Sequence, residues 1–228
     1  MSIFREFLLH PRTTGAIAAS SPALARALTD GLGLERARVV VELGPGTGPV
    51  TAAILARMAP GARLVAVEAN GRLAEALRRR YRGHPVDVVH DSAERLPGLV
   101  DAPVDAVVSG LPWTVLPRPL RRRILDAVGA VLAPDGGFTT FAYVHAAWTP
   151  PARHFAAELG ARFRTLERTP PVWANLPPAF VHRATGRREP AGSPSAAAGR
   201  RAGGAGPSGS GLSARRASGG GSAGSARR

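Results

Sequence analysis

The chain has 228 residues, 44% of them hydrophobic, and a formal net charge of +14. That is enough for one domain with a real core, and no run approaches the roughly 20 apolar residues of a membrane span. There is no cysteine and no lysine, which excludes disulfides, thiolate metal sites, cysteine nucleophiles and a phosphate-binding lysine of the Walker type.

Residues 2–9 predict a short amphipathic helix, with Ile3, Phe4, Phe7 and Leu8 on one face. Arg5 and Glu6 interrupt that apolar stretch, so no secretory signal is expected. The expectation is a cytoplasmic protein, soluble or peripherally attached to the inner face of the membrane. Ser21-Pro22 predicts a second helix over residues 23–28, with serine as N-cap and proline at the first helical position. Residues 1–30 are read as lead-in helices to a main domain over 31–186.

Strand and helix signals then alternate. Residues 39–41 form a short buried strand that runs into glycines, followed by a helix over 50–58. A strand at 64–67 precedes a helix at 72–81, and a third strand covers 86–89. A fourth strand at 104–109 is followed by a helix at 120–132. Pro134-Asp135-Gly136-Gly137 reads as a turn before a fifth strand at 138–143. A helix at 152–159 comes next, and strands at 163–166 and 180–184 read as an edge hairpin. The pattern predicts an α/β fold with a mostly parallel seven-stranded sheet and helices on both faces.

Residues 187–228 consist largely of Gly, Ala, Ser, Pro and paired arginines. They carry eight arginines and one glutamate, half of the net charge. Such a segment buries too little apolar surface to offset its ordering entropy, so it reads as disordered. It is either a neutral extension or an electrostatic tether to anionic lipid or nucleic acid.

The first strand ends in Glu42-Leu-Gly44-Pro-Gly46-Thr-Gly48. Glycines let the backbone turn at positive φ and approach a ligand closely. In an open α/β sheet the first strand-to-helix turn borders the ligand crevice. The spacing is G-x-G-x-G, not the G-x-G-x-x-G of a dinucleotide site. Glu68 ends the second strand, where a carboxylate can accept from ribose hydroxyls, and Asp91 follows the third, where it can accept from an adenine amino group. Glu42, Gly44, Gly46, Gly48, Glu68 and Asp91 together resemble the pattern of class I S-adenosylmethionine-dependent methyltransferases, a Rossmann-like fold. The resemblance implies that Glu42 and the glycines surround the methionine end of the cofactor.

Ser109-Gly110-Leu111-Pro112-Trp113 follows the fourth strand. In class I enzymes that methylate nitrogen this strand end carries the acceptor. By that resemblance, backbone carbonyls at Gly110 and Leu111 accept from the amine, Trp113 packs on the substrate, and Ser109 is counted with the cofactor contacts. A tryptophan face also suits a cationic head group. The six histidines lack the spacing of a metal site. Arg78-Arg79-Arg80 and Arg121-Arg122-Arg123 read as solvated helix faces.

Residues 15–25, Ser109–Pro112, Phe141-Ala-Tyr143 and Asn175-Leu-Pro-Pro-Ala179 are similar in combination to bacterial phospholipid N-methyltransferases. The resemblance spans about residues 4–184. It implies methylation of phosphatidylethanolamine at an anionic membrane surface, with Tyr143 against the head group. The chain departs from that family in Val-His-Ala after Tyr143 and in Trp113 after the proline. A second reading is an rRNA adenine-N6 dimethyltransferase, whose N-L-P-[YF] motif would place asparagine at Gly110. A third is a non-catalytic basic module that binds RNA or membrane.

Overall fold

The computed structural model describes residues 20–188 except Ala102. The helix expected over 2–9 and the tail from 189 onward lie outside the described residues. The described chain belongs to one compact unit ending at Pro190.

Helix α1 (Pro22–Thr29) begins as its sequence dictates. Ser21 is the N-cap, its Oγ accepts from the Leu24 amide at 3.2 Å, and Pro22 opens the helix. The sheet follows with β1 (Val39–Leu43), β2 (Arg63–Glu68), β3 (Val86–His90), β4 (Val104–Ser109), β5 (Leu132–Tyr143), β6 (Phe163–Arg168) and β7 (Ala179–Arg187). Between them lie α2 (Pro49–Leu55), α3 (Gly71–Arg80), α4 (Arg118–Val131) and α5 (Pro150–Arg162), with short 3-10 turns at Ala93–Gly98 and Val144–Ala146. The strand order is β3-β2-β1-β4-β5-β7-β6, and β7 alone runs opposite to the other six strands. This is the expected Rossmann-like methyltransferase sheet, with the last two strands as an edge hairpin.

The central strands are apolar throughout because both faces are covered. Val41, Leu43, Val107 and Phe138 pack beneath α4 and α5. Val40, Ala106, Val108 and Val181 pack with Leu24 and Leu28 of α1 and Ile54 of α2. Thus α1 shares the core of the sheet expected over 31–186. The tail boundary moves, since β7 continues through Arg187. The turn expected at 134–137 lies inside β5, where the pairing with β4 shifts register between Val104 and Ala106; the extra residues are absorbed as an irregularity in the strand rather than ending it.

Two side-chain ties brace this frame. Arg121, with a side chain 5% exposed, forks onto Glu158 at 2.9 and 3.2 Å, joining α4 to α5. Arg121 is therefore a buried brace rather than part of the solvated face expected for residues 121–123. Asn175 accepts from the Ser21 amide at 3.0 Å and donates to the Pro177 carbonyl at 2.7 Å. It ties the start of α1 to the β6–β7 connection, so two segments singled out in the sequence meet.

Candidate cofactor and acceptor site

The C-terminal ends of the parallel strands gather the predicted residues at one edge of the sheet. The loop after β1 is built from three glycines at positive φ: Gly44 at 69°, Gly46 at 59° and Gly48 at 90°. Their surroundings differ. A Cβ on Gly48 would lie 2.9 Å from the Tyr81 ring, and one on Gly44 would lie 2.8 Å from Leu111 Cδ2. A Cβ on Gly46 would meet nothing within 4 Å, so this glycine presents the open face of the loop.

The loop's outer side is held by α3 and the residue after it. The Tyr81 hydroxyl donates to the Gly48 carbonyl at 2.6 Å, and Arg80 donates to the Thr47 carbonyl at 3.0 Å. Tyr81 was not singled out from the sequence, and Arg80 was read only as part of a solvated helix face; the only signal was their place at the end of the predicted helix over 72–81.

Glu42 is 1% exposed, and its Oε2 accepts from the Thr51 hydroxyl at 2.6 Å. Burial pushes its carboxyl up to about 8; the Thr51 bond opposes the shift and the nearby Glu68 charge adds to it. Glu68 ends β2. One of its oxygens accepts from the Gly46 amide at 3.0 Å and the other from the Asn70 amide at 2.9 Å. Burial raises its carboxyl, and the backbone amides of Asn70, Gly46 and Ala69 oppose that. Each carboxylate oxygen has a further lone pair for a ligand hydroxyl. Asp91, just past β3, accepts from the Ser92 amide at 2.7 Å and lies 3.8 Å from Arg95.

The segment after β4 is pressed against the glycine loop. The Gly110 amide donates to the Leu43 carbonyl at 2.8 Å, and a Cβ on Gly110 would sit 2.7 Å from the Gly44 carbonyl oxygen. The Leu111 carbonyl takes the Trp113 amide at 3.0 Å, which leaves it one lone pair for another donor. Tyr143 ends β5, with its ring stacked on His145 and edge-on to Phe141. Burial pushes its phenol up.

Trp113 is a correction. It is 2% exposed, stacks on Phe155 with centroids 5.0 Å apart, and meets Phe138 edge-on. Its indole N–H donates to Ser109 Oγ at 3.0 Å, and the Leu111 amide donates to the same oxygen at 3.3 Å. The face expected to receive an ammonium is therefore covered by protein, and Ser109, fully buried, is spent on holding the turn. Trp113→Ala should cost about 3–5 kcal/mol of stability, measured as a lowered denaturation midpoint, and Trp113→Phe much less.

These residues fit S-adenosylmethionine by the chemistry they present. The edge offers carboxylates at the ends of β2 and β3 for hydroxyl and amino donors, a buried acid beside the loop for a cationic group, and an open backbone face at Gly46. When bound, that cofactor supplies an electrophilic methyl on a sulfonium. The chain's part is to orient and desolvate, which accounts for most of the rate in such transfers. Among the described residues no group of His, Cys, Asp and Glu is placed to hold a metal ion.

The chain is similar to known methyltransferases. Residues 40–136 match a family described as a methyltransferase domain. Over 189 residues the chain is 33% identical to an ornithine lipid N-methyltransferase of Singulisphaera acidiphila, covering 81% of this chain and 94% of that protein. It is 34% identical over 93 residues to a probable ribosomal RNA small subunit methyltransferase A of Methanospirillum hungatei, but there covers only 34% of the relative's length. Among solved structures, cofactor-bound Rv0187 from MTB superposes with a TM-score of 0.64 at 18% identity, over 82% of this chain and 96% of that one. The O-methyltransferase TomG from Streptomyces achromogenes, in complex with SAM, gives 0.57 at 22% identity, over 77% and 86%. The chain belongs to the class I S-adenosylmethionine-dependent methyltransferases. It is an enzyme of that class, and its cofactor is S-adenosylmethionine.

Proposed function

We propose that the protein transfers methyl groups to the amine of a membrane lipid head group, phosphatidylethanolamine or an ornithine lipid. The observation that carries this reading is the extent of the lipid methyltransferase match, which covers 94% of the relative, against 34% for the ribosomal RNA relative. The Ser21–Asn175 tie adds support, because it joins two of the segments that resemble phospholipid N-methyltransferases outside the shared cofactor loop.

In this reading Gly44, Gly46 and Gly48 hold the methionine end of the cofactor, with Glu42 balancing its positive charge. Glu68 accepts from the ribose and Asp91 from the adenine. The carbonyls of Gly110 and Leu111 hold the lipid amine with its lone pair toward the methyl, and Tyr143 closes the head-group side. The acceptor must arrive as a neutral amine, because an ammonium has no lone pair to donate.

The test is a bacterial lipid extract incubated with labelled S-adenosylmethionine and separated by head group. Label is expected in N-methylated aminolipid. Label in both candidate lipids defines a broad amine specificity, label in one defines the substrate, and an unlabelled lipid fraction overturns the reading.

A further inference from the structure

All the exposed large hydrophobic side chains among the described residues are Val115, Trp148, Trp173 and Leu176, at 57%, 78%, 72% and 81% exposure. They lie on three connections. Val115 follows β4, Trp148 follows β5, and Trp173 with Leu176 joins β6 to β7. Strand β6 is antiparallel to β7, which is antiparallel to β5, so β6 runs with β4 and β5. All three connections therefore leave the same edge of the sheet, the one that bears Gly110, Leu111 and Tyr143. Solvent-exposed apolar groups are ordinary when scattered, but their concentration at one end marks a binding surface.

The charge pattern names the partner. Residues 110–117, 144–149 and 169–178 contain no Asp, Glu, Lys or Arg, although charged residues make up 20% of the chain. Exposed arginines flank these connections along the chain: Arg118 opening α4, Arg153 in the first turn of α5, and Arg168 ending β6. Tryptophan favours the boundary between lipid chains and head groups, and arginine one layer out meets lipid phosphates. An uncharged aromatic tip with a cationic collar matches an anionic bilayer. An RNA surface would call for cations among the stacking rings themselves.

We propose that these three connections are the surface by which the protein docks on an anionic lipid bilayer, with Trp148, Trp173 and Leu176 entering the head-group layer. This rests on the lipid-acceptor reading above and sharpens it. The acceptor side of the site then faces the membrane, and a lipid amine reaches Gly110 and Leu111 without leaving the bilayer. The tie from Ser21 to Asn175 brings the start of α1 to the same connection.

The test uses the full chain with vesicles of phosphatidylglycerol and acyl-brominated phosphatidylcholine. The protein has three tryptophans, and the variant Trp148→Ser/Trp173→Ser keeps only the buried Trp113. Wild-type emission is expected to shift to the blue and be quenched by the brominated lipid. The variant should show neither effect and should partition onto vesicles at least about tenfold less, with S-adenosylmethionine affinity unchanged. Equal partitioning of the two proteins overturns the proposal. So does emission that is already blue without lipid and unmoved by it, which means the chain or a second copy covers the tryptophans. Binding of single-stranded RNA through the same tryptophans, with no vesicle binding, also overturns it. Tryptophan-dependent vesicle binding without lipid methylation supports the surface and removes the lipid-acceptor reading. Methylation of detergent-solubilised lipid without vesicle binding does the reverse.

Discussion

Glu42→Gln is expected to make the protein more stable at pH 8 and to weaken its hold on S-adenosylmethionine. The carboxyl is buried, and its titration is pushed from 4.5 to about 8, first by burial. The folded state therefore binds this proton more tightly than the unfolded chain does. That contribution to stability is complete below about pH 4.5, is lost as the pH rises from there to about 8, and changes little above. Glutamine keeps the shape, can still accept from Thr51, and cannot ionise. Its stability advantage should grow across the same window and reach a few kcal/mol at most.

Binding should move the other way. A cationic ligand on the glycine loop favours the ionised carboxylate, so binding draws a proton off Glu42. Wild-type affinity should rise with pH up to about 8 relative to the glutamine variant, and the variant should bind at least about tenfold more weakly there. Calorimetric titrations of both proteins across the range cancel the cofactor's own ionisation. Parallel curves would show that Glu42 does not face the cofactor's charge.

Gly110→Ala should disrupt the site more severely than its single added methyl suggests. The new Cβ would stand 2.7 Å from the Gly44 carbonyl oxygen. That obstacle is backbone, and Gly44 is itself fixed at a φ of 69° with Leu111 against its other side. The glycine loop and the segment after β4 must separate, at a cost of about 1–3 kcal/mol. Cofactor affinity should fall on the order of a hundredfold, because a displacement of about 1 Å is enough for that in a positioned site. Gly98→Ala is the control, since a Cβ there meets nothing within 4 Å. Wild-type affinity and stability in Gly110→Ala would remove the close contact from the site.

The fold was legible because the chain keeps its levels consistent. Val39-Val40-Val41 and Leu64–Val67 are short apolar runs bounded by turns, and such runs become strands buried on both faces. The glycines and the acids at strand ends stood at fixed offsets from those runs, so the cofactor could be read before any coordinates. The acceptor side was less legible, since it depends on contacts between distant segments. Trp113 looked free for a substrate only because Phe155 and Phe138 come later in the chain. Ser109 looked like a ligand contact because its hydroxyl bond to that indole cannot be seen in a linear motif. The raised titration of Glu42 follows from a depth of burial that no spacing reveals. Trp148 and Trp173 carried no signal at all, because only the strand order brings their connections to one edge.

The decisive measurement is a single reaction containing the enzyme, labelled S-adenosylmethionine, mixed vesicles with phosphatidylethanolamine and ornithine lipid, and unmodified ribosomal RNA. Label is expected in the extracted lipid, on a head-group nitrogen, with the RNA unlabelled. Label in adenine of the RNA and none in the lipid would contradict the lipid-acceptor assignment while leaving the cofactor site intact.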